Sequence, residues 1–390
     1  LALLAAGCSG LPRDRAVPHE LADQAVIPGV GDVRFWGGGL DERVMRVLIE
    51  SSARERAWLD AQGHTGALPP AEFLAISGGG ANGAFGAGLL CGWSQAGTRP
   101  SFKLVTGIST GALIAPFAFL GPEYDDVLRR VYTTVSTRDI ARSRGLLAAI
   151  NSDAMADTAP LWATMSKHVT EDLLRAVADE YAKGRLLIVG TTNLDEQRGV
   201  LWDMGAIASS GDPGALRLFR SILIASAAIP GAFPPMMIDV EVAGEKYQEM
   251  HVDGGAMAQV FVYPAGLRVQ EAGAAHGVNR PRTAYIIRNA RLDADWSEVE
   301  RRTLSIAGRA IDSMIQTQGI GDLYRVFATA QRDGVGFNLA FIPPSFRERP
   351  EEPFDPVYMG KLFEVGYGLA LGGYPWEHAP PFYDGPFTPR

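Results

Sequence analysis

The strongest constraint in this sequence is a repeated junction: a short, mainly apolar run, a glycine turn, then an apolar stretch with helical spacing. Phe73-Leu74-Ala75-Ile76 runs into Ser77-Gly78-Gly79-Gly80 and then into the small-residue segment 81–95. Phe102-Lys103-Leu104-Val105 is followed by Thr106-Gly107-Ile108-Ser109-Thr110-Gly111 and the apolar segment 112–120. A continuous apolar run suits a strand buried on both faces. Further strands are expected over 185–189, 200–202, 284–287 and 337–342, and helices over 43–62, 216–227 and 298–331. Strands alternating with helices predict an α/β fold with a mainly parallel sheet covered on both faces.

At 390 residues the chain can bury roughly three quarters of its unfolded surface, so a core needs no disulfide or metal. Lys and Arg total 36 and Asp and Glu 44, a formal charge of −8, which argues against a phosphate-neutralising nucleic-acid binder. Only Cys8 and Cys91 are present, which excludes a disulfide framework and a thiolate-built zinc site. Three stretches are expected: residues 1–40 as leader remnant and Pro/Gly-rich tether, 41–290 as the α/β domain with its N-terminal helix, and 291–390 as a helical extension packed on the same domain. Residues 221–240 are mostly apolar, but Pro230, Pro234 and Pro235 interrupt them, and a membrane span needs about 20 helical residues.

Glycine is in excess, 45 residues or roughly 12% against an average of about 7%. Three glycine turns carry possible chemistry. Gly78, Gly80 and Gly83 satisfy G-x-G-x-x-G after a strand, but a dinucleotide site also needs an acid about 20 residues on. Residues 98–108 contain none. A glycine run before a helix can instead converge backbone N–H groups on an anion, including a developing oxyanion. Gly107-Ile108-Ser109-Thr110-Gly111 is a G-x-S-x-G elbow between strand and helix, the geometry that projects a nucleophilic serine. Asp253-Gly254-Gly255 presents an Asp on a turn where glycines permit close approach of a second loop. Each turn also has a plain packing interpretation when taken alone.

Serine hydrolases usually place a histidine between nucleophile and acid. Of the six histidines, only His251 stands near a candidate turn, two residues before Asp253 and on the same face of an extended segment.

Taken in order, the three turns resemble the patatin-like phospholipases. Gly78-Gly79-Gly80-Ala81-Asn82-Gly83 is similar to that family's oxyanion motif, Gly107 to Gly111 to its nucleophile elbow, and Asp253-Gly254-Gly255 to its catalytic Asp motif. Ala225-Ser226-Ala227-Ala228-Ile229-Pro230-Gly231-Ala232-Phe233-Pro234-Pro235 resembles the Pro loop preceding the Asp. Asn82 departs from the Arg or Lys of many members. The resemblance implies a three-layer α/β/α sandwich with a mostly parallel central sheet. It implies a Ser109–Asp253 dyad without histidine, an oxyanion hole at Gly78, Gly79 and Gly80, and supporting roles for Gly83, Gly107, Gly111, Gly254 and Gly255. The expected activity is hydrolysis of lipid acyl esters, of phospholipase A or lysophospholipase type, through an acyl-enzyme and with no metal or cofactor. The substrate is a phospholipid or another acyl-ester lipid. An acyltransferase with the same dyad, or a lipid-binding lipoprotein without turnover, are the competing expectations.

Leu1-Ala2-Leu3-Leu4-Ala5-Ala6-Gly7-Cys8 looks like the end of a secretory leader, and the small residues before Cys8 resemble a bacterial lipobox. Leu4 stands one residue earlier than the usual Leu, and Ala5 takes its place. Because residue 1 is Leu, the true start is expected to be missing. Lipidation of Cys8 would tether the protein to the bacterial cell envelope, and Ser9 rather than Asp points to the outer membrane. More than one acyl chain is needed for a stable anchor.

Overall fold

The computed structural model describes residues 11–39, 41–144 and 152–385; Cys8, the expected lipidation site, lies outside them. A short strand β1 (Arg34–Trp36) precedes helix α1 (Glu42–Ala61), whose first turn is capped by Asp41 accepting from Arg43 N. The two glycine junctions are β2 (Ala71–Ile76) into α2 (Gly83–Gln95), and β3 (Leu104–Ile108) into α3 (Thr110–Leu120). Next come α4 (Asp125–Thr134), α5 (Thr137–Ile140), a two-stranded ribbon of β4 (Arg142–Ser143) and β5 (Ala156–Asp157), then α6 (Ala159–His168) and α7 (Glu171–Ala182). Antiparallel β6 (Leu186–Asn193) and β7 (Arg198–Asp203) lead through α8 (Met204–Ser209) and α9 (Ala215–Ser226) to a second hairpin, β8 (Met236–Val242) and β9 (Glu245–Asp253). Helix α10 (Val269–Ala275), β10 (Arg282–Arg288), α11 (Thr303–Arg332), β11 (Gly336–Phe341) and α12 (Pro356–Leu371) follow.

The main sheet runs β1-β7-β6-β3-β2-β10-β11. Its five central and distal strands, β6, β3, β2, β10 and β11, are mutually parallel. Successive strand residues point to opposite faces, and the core divides accordingly. Leu74, Ile76, Val105, Leu187 and Val189 join one apolar layer with α2, α3, α9 and α12. Phe73, Ala75, Leu104, Leu186 and Ile188 join the other with α1 and the C-terminal half of α11. The result is an α/β fold with helices on both faces of a mostly parallel sheet.

Two features depart from expectation. Residues 17–36 are packed rather than a free tether: Val17, Ala22, Ile27 and Val33 are buried in the first layer, and β1 pairs antiparallel with β7. Their apolar side chains are spaced irregularly, so no helix or strand period shows in the sequence. Residues 291–390 contribute β11 to the sheet as well as helices. Glycines within α2 also have a packing purpose. A Cβ on Gly88 would stand 2.0 Å from the Phe363 carbonyl oxygen, and one on Gly92 2.2 Å from that of Tyr367, so α2 and α12 meet backbone to backbone.

Candidate active site

One edge of β6 positions the two chemical groups. Its first half pairs in parallel with β3, ending at Gly190 opposite Ile108. Its second half pairs antiparallel with β9, beginning at Thr191 opposite Asp253. Because β7 occupies the other edge of β6 over both halves, β3 and β9 lie along the same edge and meet end to end. Ser109 leaves the end of β3 just where Asp253 ends β9. The sheet register alone therefore brings together two residues 144 positions apart in the chain (253 minus 109).

Ser109 adopts φ 55° and ψ −127°, one of few non-glycine residues with positive φ. Such a backbone stores strain and persists only where its surroundings hold it. Here the turn is sharp enough that Gly111 lies against the end of β2, where an added Cβ would stand 2.2 Å from the Ile76 carbonyl oxygen. Gly107, at the other side of the turn, similarly faces Gly111. The Ser109 N–H donates to the Ser226 hydroxyl at 3.0 Å. Ser109 is also the N-cap of α3, whose amide dipoles favour negative charge at that end. The next residue, Thr110, shares a 2.7 Å hydroxyl–hydroxyl hydrogen bond with buried Tyr132.

Asp253 is fixed on three sides. Its N–H donates to Ala228 O at 2.9 Å, its carbonyl accepts from the Thr192 hydroxyl at 3.0 Å, and its Oδ1 accepts from Gly255 N at 2.7 Å. Burial pushes its carboxyl up to about 6, against which hydrogen bonding by Ser109 and by Gly255 N act more weakly. Ser109 and Asp253 are each under a tenth exposed. Gly254 packs on Gly190, and Gly255 lies between Asp253 and Gln259.

The glycine loop closes the third side. Gly78 lies beside Ser109, with its Cβ position 3.3 Å from Ser109 Cβ. Its N–H, however, already donates to Gln259 O at 3.1 Å. Among the described residues no acceptor is recorded for the N–H groups of Gly79 and Gly80. Of the three expected oxyanion donors, Gly78 is therefore occupied and Gly79 and Gly80 are free. Gly79 has φ 157°, and a Cβ there would stand 2.3 Å from Asn289 O. Gly83 packs against the Thr110 side chain, and Asn82 accepts from the Tyr358 hydroxyl at 2.6 Å.

Three residues that sequence reasoning passed over hold this arrangement. Buried Asn289 binds Ser77 twice, N to Oγ at 2.8 Å and Nδ2 to O at 2.9 Å, and its Oδ1 accepts from Gly86 N at 3.0 Å. It follows β10, and sites in open parallel sheets gather beyond such strand ends, so the position carried a signal. Gln259 joins the loops: its carbonyl accepts from Gly78 N, and its Nε2 donates to Gly255 O at 2.8 Å. Ser226 lay within the stretch that carried the family resemblance.

His251 takes no part. It is fully buried, with Nδ1 2.9 Å from the Thr191 hydroxyl and Nε2 3.1 Å from Glu249, which in turn pairs with Arg34 at 2.6 Å. Burial pushes its pKa down.

Residues 74–265 match the family model for patatin-like phospholipase. That span is a patatin-like phospholipase domain, and the domain family supports lipid hydrolase activity in general. Among solved structures it is similar to VipD from Legionella pneumophila, at 13% identity and TM-score 0.33, covering 79% of this chain and 68% of that one. It is also similar to human GIVD cytosolic phospholipase A2, at 11% identity and TM-score 0.36, covering 82% of this chain and 56% of that one. No curated protein matches significantly.

Proposed function

We propose that the chain is a serine lipid acyl hydrolase, of phospholipase A or lysophospholipase type, working through a Ser109–Asp253 dyad. The observation that carries this reading is the end-to-end meeting of β3 and β9, which sets a strained serine against a buried carboxylate of raised pKa. Ser109 Oγ attacks the ester carbonyl while its proton passes to Asp253. The oxyanion forms against the N–H groups of Gly79 and Gly80, with the N-terminus of α3 adding to the favourable field. Asp253 returns the proton to the leaving alcohol, then takes one from the water that hydrolyses the acyl-enzyme. Ile229 and Met257, within a few residues of the Asp253 contacts, are exposed apolar side chains available to an acyl chain.

Ser109→Ala and Asp253→Asn are assayed on a short-chain ester and on phospholipid vesicles, with fluorophosphonate labelling mapped to its peptide. Each substitution is expected to lower turnover by at least about 10²-fold, and the label to fall on Ser109. Full activity in either variant removes the dyad. Anchoring through Cys8 at the bacterial envelope belongs to the same proposal, on the strength of the Leu4-Ala5-Ala6-Gly7-Cys8 motif alone. The mass of the mature N-terminal peptide tests it.

A further inference from the structure

At the opposite end of the sheet from Ser109, a cavity of about 370 Å³ opens between α1 and α10. It lies at the beginnings of the parallel strands: Leu104 and Leu186 start β3 and β6, and Arg282 starts β10. Leu104 and Ser109 stand five positions apart along β3 and its end, roughly 16 Å at strand rise. The volume falls in the range of small-molecule pockets, about 300–1,000 Å³.

The wall is apolar, built by Met45, Leu48, Phe73, Leu104, Leu186 and Val269. Its charged members are all of one sign. Arg56, Lys103, Arg280 and Arg282 line the cavity and no carboxylate does, in a chain whose net charge is −8. Glu55 lies behind them and serves two cations at once, Arg280 at 2.6 Å and Lys103 at 2.6 Å. Arg282 is left without one. It is 7% exposed, makes no ion pair among the described residues, and donates only to neutral oxygens: Gln270 Oε1 at 2.9 Å, Arg280 O at 3.3 Å and Val278 O at 3.5 Å. Arg280, equally buried, keeps its Nε without any hydrogen-bond partner. Burial and then the neighbouring Arg280 push the Arg282 pKa down, against a weaker upward pull from Tyr263 and Asp333, neither of which forms an ion pair or hydrogen bond with it among the described residues.

We propose that this cavity binds a long-chain carboxylate, its chain along the apolar wall and its head at Arg282 and Arg280. A buried guanidinium gains most from a ligand that supplies the missing anion, and its planar donor pair matches a carboxylate. A neutral chain would fill the wall and leave that charge unmet. A phosphate-bearing ligand without a chain would leave the wall wet. The site is separate from the dyad, so its occupancy is read without turnover and does not depend on the role of Ser109.

Isothermal titration of the full chain with laurate, below its micellar concentration, is compared with titration by dodecanol. Laurate is expected to saturate and to bind at least tenfold more tightly than the alcohol. Ala272→Trp, which fills the cavity from α10, is expected to abolish laurate binding. Arg282→Gln should weaken laurate at least tenfold while leaving dodecanol unchanged, with thermal melting confirming that each variant is folded. Absence of saturable laurate binding overturns the proposal, as does equal affinity for laurate and dodecanol. Laurate binding that survives both substitutions also overturns it, since the ligand then sits elsewhere, the catalytic pocket included.

Discussion

The N–H of Ser109 donates to the hydroxyl of Ser226 at 3.0 Å, and that hydroxyl donates onward to Gly190 O at 2.6 Å. Ser226 ends α9 and is fully buried. It thereby satisfies one polar group in the elbow after β3 and one on β6, the strand that β3 and β9 share. Replacing it with Ala leaves a buried donor and a buried acceptor unpaired, a cost of about 1–3 kcal/mol. Ser226→Ala should lower the melting temperature and reduce kcat at least tenfold with little change in KM, while Ser226→Thr restores both. Unchanged kcat in a folded Ser226→Ala protein would show that the elbow does not need this tie.

The raised pKa of Asp253 fixes the direction of two pH dependences. As a base it must be ionised in the free enzyme, so kcat/KM should rise with pH, reach half its plateau near 6 and fall tenfold per unit below that. Stability runs the other way. A carboxyl whose folded pKa lies above its ordinary 3.8 contributes stability that is full below about pH 4 and lost as pH rises through about 6. Asp253→Asn removes that loss. It should match the parent at pH 4 and exceed it above pH 6, by up to about 3 kcal/mol for a shift near two units. Buried Asp203 is also pushed up to about 6, but it is present in both proteins and cancels in the comparison. Denaturant melts at pH 4 and pH 8 decide the matter; equal stability at both would contradict the shielded carboxylate.

What was legible in the sequence was local. The run 73–76 lies within β2, the run 102–105 leads into β3, and the elbow at 107–111 spans the β3–α3 junction, because apolar strands and glycine turns announce themselves within ten residues. What was not legible was pairing. Nothing near Asp253 shows that β9 takes over the edge of β6 where β3 stops, since register is set by contacts between distant segments. The same holds for Gln259, whose carbonyl occupies the Gly78 N–H and removes one expected oxyanion donor. The packing purpose of Gly88 and Gly92 was likewise not legible, because the helix that demands their smallness, α12, lies some 270 residues later.

Gly111 and Gly308 both sit in helices, and the same substitution should move them in opposite directions. An Ala Cβ at 111 would stand 2.2 Å from Ile76 O and 2.7 Å from Ser77 O, so the elbow or the glycine loop must shift. A loss of about 1–3 kcal/mol is expected for such overpacking, together with slower fluorophosphonate labelling of Ser109. At Gly308, in the exposed half of α11, nothing lies within 4 Å of the added carbon. There Ala should stabilise by up to about 1 kcal/mol through helix propensity. Melting curves of the two variants beside the parent give the signs directly, and a neutral Gly111→Ala would refute the close approach of α3 to β2.

His251 offers the sharpest separation between a two-residue and a three-residue mechanism. It is the histidine nearest to Asp253 in sequence, yet both its ring nitrogens are engaged, with Thr191 at 2.9 Å and Glu249 at 3.1 Å. Burial depresses its pKa, against the opposing pull of Glu249. A general base must reach the proton it removes, and this ring is committed to a structural network with Arg34 and Glu249. His251→Gln should therefore keep kcat/KM within a few-fold of the parent and leave the pH midpoint near 6. The melting temperature should fall modestly, by the equivalent of about 1 kcal/mol for a lost buried hydrogen bond. A collapse of kcat/KM in a His251→Gln protein that still melts cooperatively, or a displaced pH midpoint, would make the histidine part of the catalytic machinery and the dyad incomplete.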